Sequence, residues 1–276
     1  MTAVAWITAG ALGLTTAGLV HSVVAHRDSD IRKAYLSVVR AIRWWMLPAA
    51  FGLLVCVVIV AAILSQLPWL QFSWWRLISG TPGSMISGQT SFQGGLWTVA
   101  AIGIPAVLFF VLPSLAYMEE SIFRKDCEAK SKTAIFGRQV TFGLMHCVLA
   151  GVPVAAGLAL VGVGYCYLAV YLKHINRSEI ARLTLYLDRQ DEYEELGKAY
   201  RQRLREWASD LNRHGPPPEL PQSEFDAIRD RRLAAIDRSD ELQNEGVSVA
   251  AAFHATYNAL AVLLLLTFVV TRAVMS

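Results

Sequence analysis

A chain of 276 residues that is 54% hydrophobic and only 17% charged is too apolar for an ordinary soluble domain, where about a quarter of residues are charged. It reads as a polytopic membrane protein. The formal charge of +3 hides a division: 16 acidic and 13 basic residues fall between Lys173 and Glu245, leaving 6 and 12 elsewhere, so the apolar part is basic and the polar stretch slightly acidic.

In chain order, apolar runs of about 20 residues, the length needed to span a bilayer, lie near 2–25, 45–66 and 95–118. The first has no charged residue before it in Met1-Thr2-Ala3 and continues to Ala25, so it is not read as a cleavable signal peptide. From Gln139 to Leu172 there are 34 residues without Asp, Glu, Lys or Arg, interrupted by Gly151-Val152-Pro153, and this predicts two spans joined by a tight turn. A last span at about 249–271 makes six. The expected fold is therefore an all-α transmembrane bundle, built from 1–172 and 249–276, with a polar insertion over 173–248. The connections at 26–44 and 119–138 each carry five Lys or Arg, and Trp69, Trp74, Trp75 and Trp97 cluster around the connection between them. The positive-inside rule then puts those two basic connections and the insertion in the cytoplasm.

Within the insertion, Tyr193, Leu196, Tyr200, Leu204, Trp207 and Leu211 recur at spacings of three and four, which predicts one helix with an apolar face. The breaker Gly215-Pro216-Pro217-Pro218 precedes a second helical stretch with Phe225, Ile228 and Ile236, giving a cytoplasmic hairpin. Such an arm serves as a spacer or oligomerisation element, or as a platform for a protein partner. Its mixed charge argues against nucleic acid.

Tyr117-Met118-Glu119-Glu120-Ser121-Ile122-Phe123-Arg124 places two carboxylates at the end of a nearly uncharged run, where charge is costly unless it reaches water or serves a function. Later runs carry Phe142 with His146, and His254 with Asn258, each pair four residues apart and so on one helix face. At 1.5 Å per residue, His146 lies about 12 Å beyond Arg138, His254 about 12 Å beyond Gly246 and Glu119 about 8 Å before Arg124, so three helices bring polar groups to one depth. Arg124, four residues after Glu120, is in the favourable order for an ion pair, which leaves Glu119 free to accept a proton. Pro113 predicts a kink just before the pair. His21 and His26 read as interfacial groups. The cysteines, Cys56, Cys127, Cys147 and Cys166, have no CxxC or CxxH spacing and read as packing residues.

Glu119-Glu120-x-x-x-Arg124, Phe142-x-x-x-His146 and His254-x-x-x-Asn258, in that order on separate apolar segments, resemble the motifs of the type II CAAX prenyl endopeptidases, within the CPBP or ABI family of intramembrane proteases. The resemblance covers about 117–172 and 249–260; the insertion departs from the short connection usual in that family. It implies that Glu119, helped by His146, activates a water, that His254 and Asn258 donate to the oxyanion, that Glu120 and Arg124 hold the helix end, and that Phe142 packs the site. It further implies a bacterial plasma-membrane protease with a cytoplasm-facing site and no cofactor. Its substrate would be a membrane-anchored peptide or protein, prenylated tails being the best-known class. Glu119, His146 and His254 also form a normal catalytic zinc set, although HExxH is absent. The competing classes are a non-catalytic relative acting in binding, immunity or scaffolding, and a transporter relaying protons through the same Glu and His residues.

Overall fold

The structure is a computed structural model that describes residues 2–80, 84–85, 90–91, 94–188, 191–209 and 216–275. Regular structure among the described residues is entirely helical: α1 (Ala3–Ala25), α2 (Ser29–Ala41), α3 (Met46–Leu64), α4 (Trp74–Ser79), α5 (Gly95–Phe123), α6 (Lys132–Leu149), α7 (Val154–His174), α8 (Arg177–Asp188), α9 (Asp191–Ser209) and α10 (Gln222–Met275). Five helical stretches are long and apolar enough to cross a membrane, namely Ala3–Ala25, Met46–Leu64, Gly95–Ala129, Val154–His174 and Gln222–Thr271.

Three elements differ from the sequence expectation. The run expected to begin near Gln139 starts at Lys132, because Ser131 caps the Ala134 N–H at 3.3 Å and the helix forms through Arg138. Its polar residues keep α6 out of the five apolar stretches. The connection at 26–44 contains a 13-residue helix, α2, capped by Asp28. The last apolar run is not a separate helix: α10 continues without a break from Gln222, since nothing between Glu224 and Met275 is a proline.

Two compact units divide the chain, one comprising 1–174 and 246–276, the other 175–245. In the first unit, α6 and α7 meet backbone to backbone, because Gly143 and Gly157 stand where any methyl group would collide with the facing helix. The turn between them is closed by Gly151 in the left-handed region (φ 67°), and Trp74 Nε1 donates to the carbonyls of Cys147 and Val148 at 3.0 Å, satisfying the end of α6. One core cluster gathers Val38, Met46, Phe123, Phe142, Tyr167 and Phe253; a second gathers Leu12, Trp75, Leu108, Leu112 and Val262. α5 carries both Pro105 and Pro113, each removing one helix hydrogen bond.

In the second unit the half-buried face of α9 consists of Tyr193, Leu196, Tyr200, Leu204 and Trp207. Tyr193 stacks on Phe225 (6.1 Å between ring centroids) and Arg232 lies 5.9 Å from the same ring. Exposed ion pairs, Arg231 with Glu192 (3.2 Å) and Arg238 with Glu179 (3.0 Å), join α8 and α9 to the first part of α10. Pairs of this kind add little stability, so the aromatic face carries the packing. Leu211 and Gly215 lie outside the described residues.

Candidate active site

Glu119 and Glu120 occupy the last turn of α5, and the helix ends at Arg124, whose N–H still bonds the Glu120 carbonyl at 2.8 Å. Neighbours on a helix point about 100° apart, so the two carboxylates enter different surroundings. Glu120 turns inward. Its side chain and that of Arg124 are both 0% exposed, with Arg124 Nε 3.1 Å from Glu120 Oε2, an ion-pair distance whose angle does not make a hydrogen bond. The guanidinium lies 4.5 Å over the ring of Phe142, which itself is buried against Phe123, His146, Tyr167 and His254. A desolvated cation on an aromatic face is worth about 2 kcal/mol.

Glu120 has a second partner. Nδ1 of His254 is 2.9 Å from Glu120 Oε1, both groups being buried, and a carboxylate can only accept, so Nδ1 carries the proton. Tyr167 stacks on the His254 ring with centroids 4.5 Å apart and planes 24° apart. The orientation of His254 is thus fixed from an edge and from a face. His146 is set in the same way by simpler means: its Nδ1 lies 2.8 Å from the Phe142 carbonyl, one turn earlier on α6, so that nitrogen is also the donor.

Both imidazoles in their neutral forms therefore present Nε2 as a lone pair, and both Nε2 atoms face Glu119. Glu119 Oε2 is 3.9 Å from His146 Nε2 and 3.8 Å from His254 Nε2. These spacings exceed hydrogen-bond length, and Oε2 is buried with no hydrogen-bond partner among the described residues. Either gap is one that a water can bridge, donating one hydrogen to Glu119 Oε2 and the other to an imidazole Nε2. A closed tetrahedral zinc shell would hold its ligand atoms about 3.4 Å apart. Among the described residues no three His, Cys, Asp or Glu side chains are already grouped to enclose a metal ion.

Glu119, His146 and Asn258 line one cavity of about 420 Å³, whose other walls apart from Ser84 are apolar, among them Leu108, Leu112, Met118, Met145 and Leu265. Asn258, one turn beyond His254, makes no side-chain hydrogen bond among the described residues and is open to this cavity. Glu119, Glu120, Arg124, Phe142, His146, His254 and Asn258 thus lie close together, whereas His26 does not join them. With Nδ1–H committed to Glu120, neutral His254 has no hydrogen on Nε2 to donate, whereas the amide of Asn258 is a donor as it stands.

Two neighbours escaped the sequence reading. Gln139 is seven residues before His146 and three before Phe142, so helix periodicity places it on the same face, and it is fully buried. Tyr167 comes from a Gly-rich apolar stretch with nothing to link it to His254. Of the interfacial histidines, His26 bonds the Ser22 carbonyl (2.7 Å) and Ser114 Oγ (2.9 Å), a satisfied link from α1 to α5. Comparison with protein-family models, with curated proteins and with solved structures gives no match.

Proposed function

We propose that this chain is an intramembrane endopeptidase of the CAAX-endopeptidase-like type, acting on a membrane-anchored peptide or protein. The observation that carries this reading is the convergence of Glu119 Oε2 with two imidazole nitrogens, 3.9 and 3.8 Å away, at the wall of an apolar cavity. A water that donates one hydrogen to Glu119 Oε2 and the other to the Nε2 of one of the two imidazoles gives a proton to Glu119 as its oxygen attacks the scissile carbonyl carbon. Asn258 donates to the oxygen that becomes negative, with His254 adding a second donor when protonated, its charge offset by Glu120. The C–N bond then breaks and the proton on Glu119 passes to the leaving amine. Arg124 and Phe142 act only by holding Glu120 and the rings in place.

In the same reading α6 is a sixth, shorter span, the basic connections and the 175–245 unit face the cytoplasm, and the protein resides in a bacterial plasma membrane. Reporters fused within 176–245 should read as cytoplasmic. Function is tested by profiling new peptide termini in membranes of cells carrying the wild-type chain or Glu119→Gln. Termini present only with the wild type support proteolysis; identical profiles contradict it.

A second reading is favoured by the tautomers. Histidines that bind zinc characteristically donate their other N–H to a carboxylate or backbone carbonyl, as His254 and His146 do here. Drawing the three ligand atoms together by about half an ångström would complete a zinc shell of Glu119, His146 and His254. Zinc content of purified protein separates the two: a stoichiometric metal removed with activity by a chelator favours zinc, and full activity in metal-free protein excludes it.

A further inference from the structure

We infer that the closed layer behind His254 is a hydrated polar site, in which Arg124, Gln139 and Tyr167 hold a small cluster of ordered water molecules. Three helices supply these side chains, α5, α6 and α7, and all three are 0% exposed. Even so, Arg124 Nη1 and Nη2, both amide atoms of Gln139, and the Tyr167 hydroxyl have no hydrogen-bond partner among the described residues. Buried polar groups are almost always partnered, and the penalty is largest for a charged one enclosed in a bundle with no bulk water at hand.

Gly164 shows that Arg124 and Gln139 border one space. A methyl group there would come 2.7 Å from Gln139 Oε1, 3.1 Å from a Phe142 ring carbon and 3.5 Å from Arg124 Nη2. The amide oxygen and the guanidinium nitrogen are therefore at most about 6 Å apart, close to the span of one bridging water at ordinary hydrogen-bond lengths. Tyr167 adjoins them, its ring 6.0 Å from the guanidinium carbon.

The chemistry of the lining selects the ligand. Four Nη hydrogens, two amide hydrogens and one phenolic hydrogen face a single amide oxygen and the phenol's own lone pairs, so the occupant must accept hydrogen bonds. It must also be neutral, because Glu120 already balances Arg124 and a further anion would be an uncompensated buried charge. It must be small enough to enter a layer whose side chains have no exposed surface. Water satisfies all three, and buried waters make about three such bonds each. These waters complete the guanidinium that pairs with Glu120, and Glu120 in turn fixes the proton on His254 Nδ1. The site thus supports the histidine from behind whether or not the chain hydrolyses peptides.

Thermal denaturation of the purified full-length chain in lipid nanodiscs tests this without a substrate. Tyr167→Phe keeps the ring on His254 and removes only the hydroxyl; Gln139→Met keeps the volume and removes both amide atoms. Were those atoms bare, deleting them would leave Tm unchanged or raise it, since an unpartnered buried polar group is a penalty. If they bind water, each substitution lowers Tm by about 3 °C or more, and the double variant falls short of the sum because the waters are shared. An unchanged or higher Tm in either single variant overturns the inference.

Discussion

The two faces of the α5 terminus show how adjacent carboxylates come to differ. Glu120 is sealed, 0% exposed, with a cation on one side and an imidazole N–H on the other; Glu119 is 29% exposed at a cavity wall, with two lone pairs facing it at distances too long to bond. In the first arrangement both Glu120 oxygens lie against a cation or an N–H, so this carboxylate is placed to hold its neighbours. The second leaves acceptor atoms without hydrogens, and in the proposed reading a water takes its place among them. The residues are chemically identical, and the 100° between successive helical positions makes the difference.

This contrast can be broken from either side, starting with the largest effect. Glu119→Gln and His146→Ala should each reduce turnover about a thousandfold or more, the range expected for loss of a general base, while leaving Tm near the wild-type value because neither group makes a close ion pair. On the sealed side, Arg124→Leu or Glu120→Gln leaves the partner charge buried, and should cost about 3–5 kcal/mol of stability, read as a lower midpoint in denaturation. Next, Asn258→Ala should lower kcat by about 10²–10³ with KM and Tm little changed, as for the loss of one oxyanion donor. The smallest effect is expected of Phe142→Leu, which keeps an apolar side chain but loses the face under Arg124, and should cost about 1–2 kcal/mol.

Much of this site was legible because helix periodicity is a strong local rule. Glu120 with Arg124, Phe142 with His146, and His254 with Asn258 are all i, i+4 pairs, and a shared depth could be counted from the nearest charged residues. The turn at Gly151 was legible because glycine and proline are strong punctuation. The second partner of Glu120 was not, since no local pattern says that His254, 134 residues away, will aim Nδ1 at Glu120 rather than at Glu119. Tyr167 was missed for the same reason, and Gln139 because an uncharged amide in an apolar run carries little signal, although its spacing from His146 would have placed it. The extent of α10 was misread where composition changes near Gly246: a change from polar to apolar residues marks a change of solvent, and it does not by itself end a helix.

The most direct measurement is the turnover of purified Glu119→Gln beside wild-type protein in proteoliposomes, on a membrane peptide identified by terminal profiling, with Tm recorded for both. The wild type should cleave the peptide and Glu119→Gln should give no detectable cleavage, with matching Tm values. Wild-type turnover retained by Glu119→Gln would contradict the proposal.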